Sequence, residues 1–305
     1  MADTGDHGTG SLPDGDVWQG SELLYRPLRS GDLASLRALL DRAVPDDYLL
    51  PMAAEWMAGG ITLGGWRGSE LLSVLRLDDL GDGEGWLGGL RVAPEFRKGG
   101  LGKELMHYTH KLATRRGFSH LRMFIEEENV ASQRLSAAVG YAPILTLCHF
   151  AGQVTAEAGR PTVVPLSPEL PLRLGELPWL RSFGGFLSPM AREGYRLVRA
   201  TPSRLRVEAE AGTLLRSPTS GAVFVLSTAQ EVSWAPAPLR ALFPLQGTLG
   251  EILDGACGAA GTSSLYLDLF LPPDPPVLSE AARRGLVRGV LWGNTVHLFE
   301  RALVP

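Results

Sequence analysis

The stretch Leu90-Arg-Val-Ala-Pro-Glu-Phe-Arg-Lys-Gly-Gly-Leu-Gly-Lys103 constrains the fold more than any other part of the chain. The apolar run from Trp86 to Val92 predicts a strand, and Pro94 ends it. An amphipathic stretch from Lys103 to Arg116 predicts a helix. Between them lies a turn with glycines at positions 99, 100 and 102. A Gly-rich turn that opens a helix aims several unpaired backbone N–H groups at one spot. Such a corner holds a phosphate or pyrophosphate. The plainer reading is a strand-to-helix turn with no ligand.

Two familiar phosphate loops do not fit. A P-loop needs Gly-x-x-x-x-Gly-Lys followed by Ser or Thr. Here Glu104 follows Gly102-Lys103, and Arg97 stands where the first glycine belongs. A dinucleotide loop needs Gly-x-Gly-x-x-Gly after a strand, and the glycines here fall in a different order. Arg97, Gly100 and Gly102 instead fit [Arg/Gln]-x-x-Gly-x-[Gly/Ala]. A second stretch agrees. Leu121 to Ile125 predicts a strand, Glu126-Glu-Glu-Asn129 follows, then a helix over Val130 to Val139 and Gly140-Tyr141.

Together these segments resemble the GCN5-related N-acetyltransferases, the GNAT superfamily. The first resembles that family's acyl-CoA pyrophosphate loop. In the second, Asn129, Ser132, Leu135, Gly140 and Tyr141 match its pattern in register. Ser136 departs from it, standing where many relatives carry a tyrosine that protonates the departing thiolate. The resemblance covers roughly residues 22 to 150. It implies an α/β fold, a mixed sheet flanked by helices, with acetyl-CoA as co-substrate and no metal. The cofactor contacts it implies are Leu90, Arg91, Val92, Arg97, Lys98, Gly99, Gly100, Leu101, Gly102, Lys103 and Asn129.

Charge and composition narrow the class. The chain of 305 residues carries a net charge of −4 and is 45% apolar, enough for a large core and two domains. Yet its three lysines, Lys98, Lys103 and Lys111, all lie beside the loop. A local positive field suits a coenzyme with several phosphates, although mixed charge is also the mark of a solvated helix face. The patch is too short for nucleic acid. Two cysteines far apart give no disulfide framework, and the pair His107/His110 lacks a third ligand. The first twenty residues read as disordered rather than as a signal peptide, and no apolar run reaches the length of a membrane span. These features point to a cytoplasmic enzyme without membrane or nucleic-acid partners. A homodimer stays open.

Four segments are expected. Residues 1–20 form a disordered N-terminus and 21–150 the acetyltransferase domain, with elements in the order β-α-α-β-β-β-α-β-α-β. Residues 151–190 are a Pro/Gly-rich connector. Residues 191–305 form a second half, with strands over 195–199, 204–209, 221–227, 264–271, 287–292 and 295–303 and helices over 249–259 and 278–284. Gly247-Thr-Leu-Gly-Glu-Ile-Leu253 resembles Gly99-Gly-Leu-Gly-Lys-Glu-Leu105. The second half then reads as a degenerate duplicate that has lost the Arg and one Gly of the loop.

The family places its acceptor between the early helices and the splayed strand ends near residues 92 and 125. Asp46-Asp-Tyr-Leu-Leu-Pro51 and Trp56 resemble a stretch of histidine N-acetyltransferase-like proteins. That makes Tyr48 and Trp56 the substrate candidates and a small-molecule amine or free amino acid the acceptor. Both are also ordinary packing residues. An amine attacks a thioester only as the neutral base. Strand alternation turns Leu121, Met123 and Ile125 to the core and Arg122, Phe124 and Glu126 to the cleft. Glu126 is therefore the candidate base, or else a solvated carboxylate. The Val92 N–H is the candidate oxyanion donor. Ser136, Tyr141 or a water would protonate the thiolate. The rival readings are a non-catalytic acetyl-CoA-binding protein, a protein-interaction module, and an enzyme acting on a protein N-terminus.

Overall fold

The computed structural model describes residues 16–19, 23–157, 161–168, 177–188, 196–230, 237–290 and 293–303. The chain forms two compact units. One takes in residues through Leu121, with Ala137–Gly140 and the end of the chain from Arg301. The other comprises Arg122–Ser136 and Tyr141–Glu300.

The first unit begins with β1 (Trp18–Gln19), β2 (Leu24–Pro27), α1 (Leu33–Ala43) and α2 (Ala53–Ala58). β3 (Ile61–Arg67), β4 (Glu70–Asp79), β5 (Glu84–Val92) and α3 (Leu101–Arg115) follow. The five strands pair antiparallel in sequence order. Leu36, Leu39, Leu40 and Ala43 recur at helical spacing on α1 and pack against Trp56, Trp66, Leu71 and Val74. The end of the expected disordered tail is ordered. Trp18 pairs with Tyr25 across β1–β2, and Asp16 accepts from Tyr108 and Arg116. Residues 1–15 lie outside the described residues.

β6 (His120–Glu126) crosses from the first unit into the second. α4 (Val130–Ala138) and the fourteen-residue β7 (Ala142–Thr155) follow. The expected domain limit at 150 therefore falls inside a strand. β8 (Val164–Pro165), α5 (Pro178–Ser182), β9 (Phe186–Leu187), β10 (Val198–Arg199), α6 (Pro202–Glu210), β11 (Leu214–Arg216) and β12 (Val223–Leu226) come next. β13 (Leu239–Gln246), α7 (Leu249–Ala259), β14 (Ser264–Leu271), α8 (Pro275–Arg283), β15 (Val287–Arg288) and β16 (Thr295–Ala302) complete the chain.

The strand order in the second unit is β6-β16-β7-β14-β13-β12-β11-β8. The last strand of the chain thus lies between β6 and β7, two strands joined early by α4. β7 in turn pairs with β14 from Cys148 to Thr155. α7 carries β13 to a parallel partner, β14, the crossover of a βαβ unit. The sheet is mixed and flanked by helices.

Several sequence expectations change. Arg204 to Ala209 alternates like a strand but is helical in α6, because Thr201 caps it and Pro202 occupies its first turn. β13 was not expected, since Pro244 reads as a breaker. The segment expected as strand 287–292 is a strand only at Val287–Arg288, and 291–292 lie outside the described residues. Arg122 and Phe124 do not face an open cleft. Arg122 is 1% exposed and donates to Glu300 Oε2 at 2.6 Å, with its guanidinium over the Phe186 ring. Phe124 packs on Phe270. Residues from the second half of the chain cover that face.

Candidate functional site

In the first unit, β5 leads into the loop. Between Val74 and Arg76 on β4 the register with β5 slips, as an extra residue enters at Gly89. Gly89 has φ +66°, and a Cβ there would lie 2.4 Å from Trp56 Cζ2, so only glycine fits. Past the bulge, Ser73 faces Val92, and the Ala93 N–H donates to Leu72 O at 2.8 Å. In an antiparallel ladder this turns the Val92 N–H and C=O away from β4. That is the orientation an oxyanion donor needs. Leu90 is half-buried beside it.

The loop then tightens in two steps. Arg97 and Gly99 donate their N–H groups back to Pro94 O and Phe96 O at 3.2 and 3.3 Å. Lys98 and Gly100 take positive φ, 64° and 90°. Gly100 is the N-cap of α3 and brings no side-chain cap. The first N–H taken up inside the helix is that of Glu104, which donates to Gly100 O at 3.0 Å. Helix geometry therefore leaves the N–H groups of Leu101, Gly102 and Lys103 without an intrahelical acceptor. A Cβ on Gly100 would meet nothing within 4 Å, so the space in front of these donors is open. Lys98 and Lys103 are exposed beside it. Behind it, the buried Tyr25 hydroxyl donates to Glu104 Oε2 at 2.7 Å, and burial, then this bond, pushes its pKa well above the usual phenol range.

Arg97 and Arg91 do something the sequence did not show. The Arg97 guanidinium donates to Val92 O and to Ala43 O, tying the strand end to the C-terminus of α1. Arg91 grips the buried Asp47. The Arg91 guanidinium is turned to Asp47, whereas Arg97 stays exposed and spends part of its donor set on these two carbonyls, so both residues brace the corner. Trp56, the other expected substrate contact, is 8% exposed and packs in the core cluster. Tyr48 is 62% exposed, with the Arg91 guanidinium 5.6 Å from its ring centroid. Reasoning from sequence missed Asp47 and Gly89. The signal for Gly89 was available, since paired glycines inside a strand mark a bulge.

In the second unit, Glu126 ends β6 and is half-buried, with its main-chain carbonyl accepting from Asn129 N and Gln133 Nε2. Among the described residues its carboxylate has no hydrogen-bond partner. Asn129 caps α4 by accepting from Ser132 N at 3.1 Å. Ser136 is 2% exposed and its hydroxyl donates to Met123 Sδ at 3.5 Å, so it is packed away rather than poised to give up a proton. Tyr141 is 3% exposed.

The duplicate in the second half is chemically different. Thr248 caps α7, its Oγ1 accepting from Glu251 N, while Glu251 Oε2 accepts from Thr248 N at 2.8 Å. This reciprocal box consumes donors that α3 leaves open. A carboxylate stands where an anion would sit.

Residues 33–141 match the model of the Acetyltransferase (GNAT) family. This stretch resembles a GNAT acetyltransferase domain. Solved structures extend the likeness to the whole chain. A tandem GNAT protein of the clavulanic acid biosynthesis pathway matches with a TM-score of 0.56 at 13% identity, over 93% of this chain and 99% of that one. A GCN5-related N-acetyltransferase from Sphaerobacter thermophilus matches with a TM-score of 0.54 at 14% identity, over 97% and 98%. At such identities the likeness establishes the GNAT fold in tandem arrangement. No curated protein matches the chain in sequence. Among the described residues no group of three His, Cys, Asp or Glu side chains could hold a metal ion. No helix among them is long and apolar enough to cross a membrane.

Proposed function

We propose that this chain transfers the acetyl group of acetyl-CoA to the amine of a small molecule. One observation carries the reading: the left-handed Gly100 opens α3 with three backbone N–H groups unspent and open space before them. These donors fit a pyrophosphate, and the exposed Lys98 and Lys103 add positive charge. Bound acetyl-CoA supplies an activated thioester. The Val92 N–H is oriented to polarise its carbonyl and to stabilise the oxyanion. Glu126 is proposed to take the ammonium proton, directly or through water. With Ser136 and Tyr141 buried, the thiolate takes its proton from water.

The exposed Tyr48 beside Arg91 supports an acceptor with a flat or apolar side chain, such as a free amino acid. The histidine N-acetyltransferase-like stretch Asp46–Pro51 supports the same class. Thiol release from acetyl-CoA, measured across amino acids and polyamines, tests the reading. Saturable acetyl-CoA binding with no thiol released across that panel would leave the non-catalytic binding protein as the better account.

A further inference from the structure

The second half of α3 and the end of β16 border an open depression of about 470 Å³ within the first unit. His110, Lys111, Thr114, Arg115 and Arg301 line it, with Leu303 as an apolar wall. Among the described residues no acidic side chain lines it. Lys111 is ten residues beyond Leu101. At ~1.5 Å per residue that is about 15 Å down the helix from the Gly100 corner.

Basic residues near a helix C-terminus are ordinary, because they complement the macrodipole. That accounts for Arg115, which lies in the last turn. It does not account for Arg301, which arrives from another element. Each cation is also held. Arg301 donates one N–H to Val139 O, on a guanidinium that carries five. Lys111 Nζ lies 4.4 Å from the Trp18 ring centroid. Among the described residues neither Lys111 nor Arg301 is paired with a carboxylate. Holding Lys111 and Arg301 together without a carboxylate partner among the described residues is unfavourable until an anion arrives.

The neighbouring imidazoles report the same field. His107 is held below its ordinary range by burial, then by Lys103, Arg301 and Lys111. His110 is pushed down to about 3 by burial, then by Arg301 and His107. Both rings are neutral at neutral pH, so the positive charge of the hollow resides in side chains that keep it.

We propose that this hollow is a second anion site that takes a small phosphate monoester, separate from the loop at the head of α3. Lys111 and Arg301, two cations on different elements facing one hollow, suit a dianion. The guanidinium fork matches phosphate oxygens, and the Thr114 hydroxyl adds a donor. Leu303 gives the organic part of the ester an apolar surface, and the volume is that of an ordinary small-ligand site.

The test is calorimetric titration of the full chain with phenyl phosphate and with inorganic phosphate, in the presence of saturating acetyl-CoA. Saturable one-to-one binding of phenyl phosphate is expected, tighter than that of inorganic phosphate and weakened by added salt. The double substitution Lys111→Gln/Arg115→Gln, at exposed positions, should weaken it about tenfold or more, and so should Arg301→Gln. Gly100→Val, titrated alongside wild type without acetyl-CoA, should leave it unchanged. Three outcomes overturn the proposal. They are no saturable binding, equal binding by the groove variants, and loss of binding when acetyl-CoA saturates the protein. The last would place the phosphate in the coenzyme's own site.

Discussion

Arg91 holds Asp47 through two hydrogen bonds, Nε to Oδ2 at 2.6 Å and one terminal nitrogen to Oδ1 at 3.0 Å. The Asp47 side chain is fully buried and also accepts from Leu49 N, so the pair pins the turn between α1 and α2 to β5. Removing Arg91 strands a buried carboxylate. Arg91→Ala should cost about 3–5 kcal/mol. Arg91→Lys should recover only part of that, because an ammonium cannot form the two-point fork. Urea unfolding reads both. Equal stability of Arg91→Ala and wild type would show that the carboxylate finds water instead.

Gly100→Val tests the coenzyme corner. Valine disfavours φ of 90° and puts a branched side chain into the open space before the α3 donors. Acetyl-CoA binding by calorimetry should fall severely while the circular dichroism spectrum stays that of a folded chain. Unchanged affinity would remove the loop from coenzyme binding.

The capped start of α7 predicts one acetyl-CoA per chain. Thr248→Ala should cost ~1 kcal/mol of stability through the lost cap and leave acetyl-CoA affinity as it was. A titration that ends at two equivalents per chain would contradict this.

Glu126→Gln should lower turnover at neutral pH by roughly 10²–10⁴-fold with acetyl-CoA affinity nearly intact, the usual loss for a missing general base. Activity should recover as pH rises and free amine accumulates. A variant that follows the wild-type profile throughout would identify Glu126 as a surface carboxylate and turn attention to Glu127 and Glu128.

His110 predicts an acid limb in stability. Its pKa falls from 6.5 to about 3 on folding, mainly through burial. Between those values the unfolded chain binds the extra proton, so the contribution of neutral His110 is complete above about pH 6.5 and drains away as pH falls toward 3. His110→Phe should flatten that part of the stability profile. A His110→Phe curve with the wild-type slope would show that the acid limb has another source.

The sequence disclosed the parts of this molecule that are local. The turn at Gly99–Gly102, the periodicity of α1 and α3, and the asymmetry between Gly100 and Thr248 follow from neighbouring residues. The partners of Arg97, Arg91 and Arg122 do not. Each guanidinium is satisfied by a group 44 to 178 residues away or at a helix end. A charge pattern does not tell which of these long side chains faces inward. For the same reason Ser136 read as accessible, because nothing in α4 announces Met123 beneath it. Arg204 to Ala209 misled differently: period-two alternation pointed one way and the Thr201-Pro202 start signal the other, and the start signal prevailed.

The position of β16 has a consequence for synthesis. β6 and β7 leave the ribosome well before the strand that separates them, and the Arg122–Glu300 bond closes a span of 178 residues. A nascent chain therefore carries two unsatisfied strand edges until β16 has been made. Contacts this distant in sequence slow folding and prolong exposure of pairing surfaces. The two halves are thereby bound into one heritable object. A stop codon before Thr295 would leave the earlier sheet without its middle, so a shortened gene would yield no smaller copy of this fold.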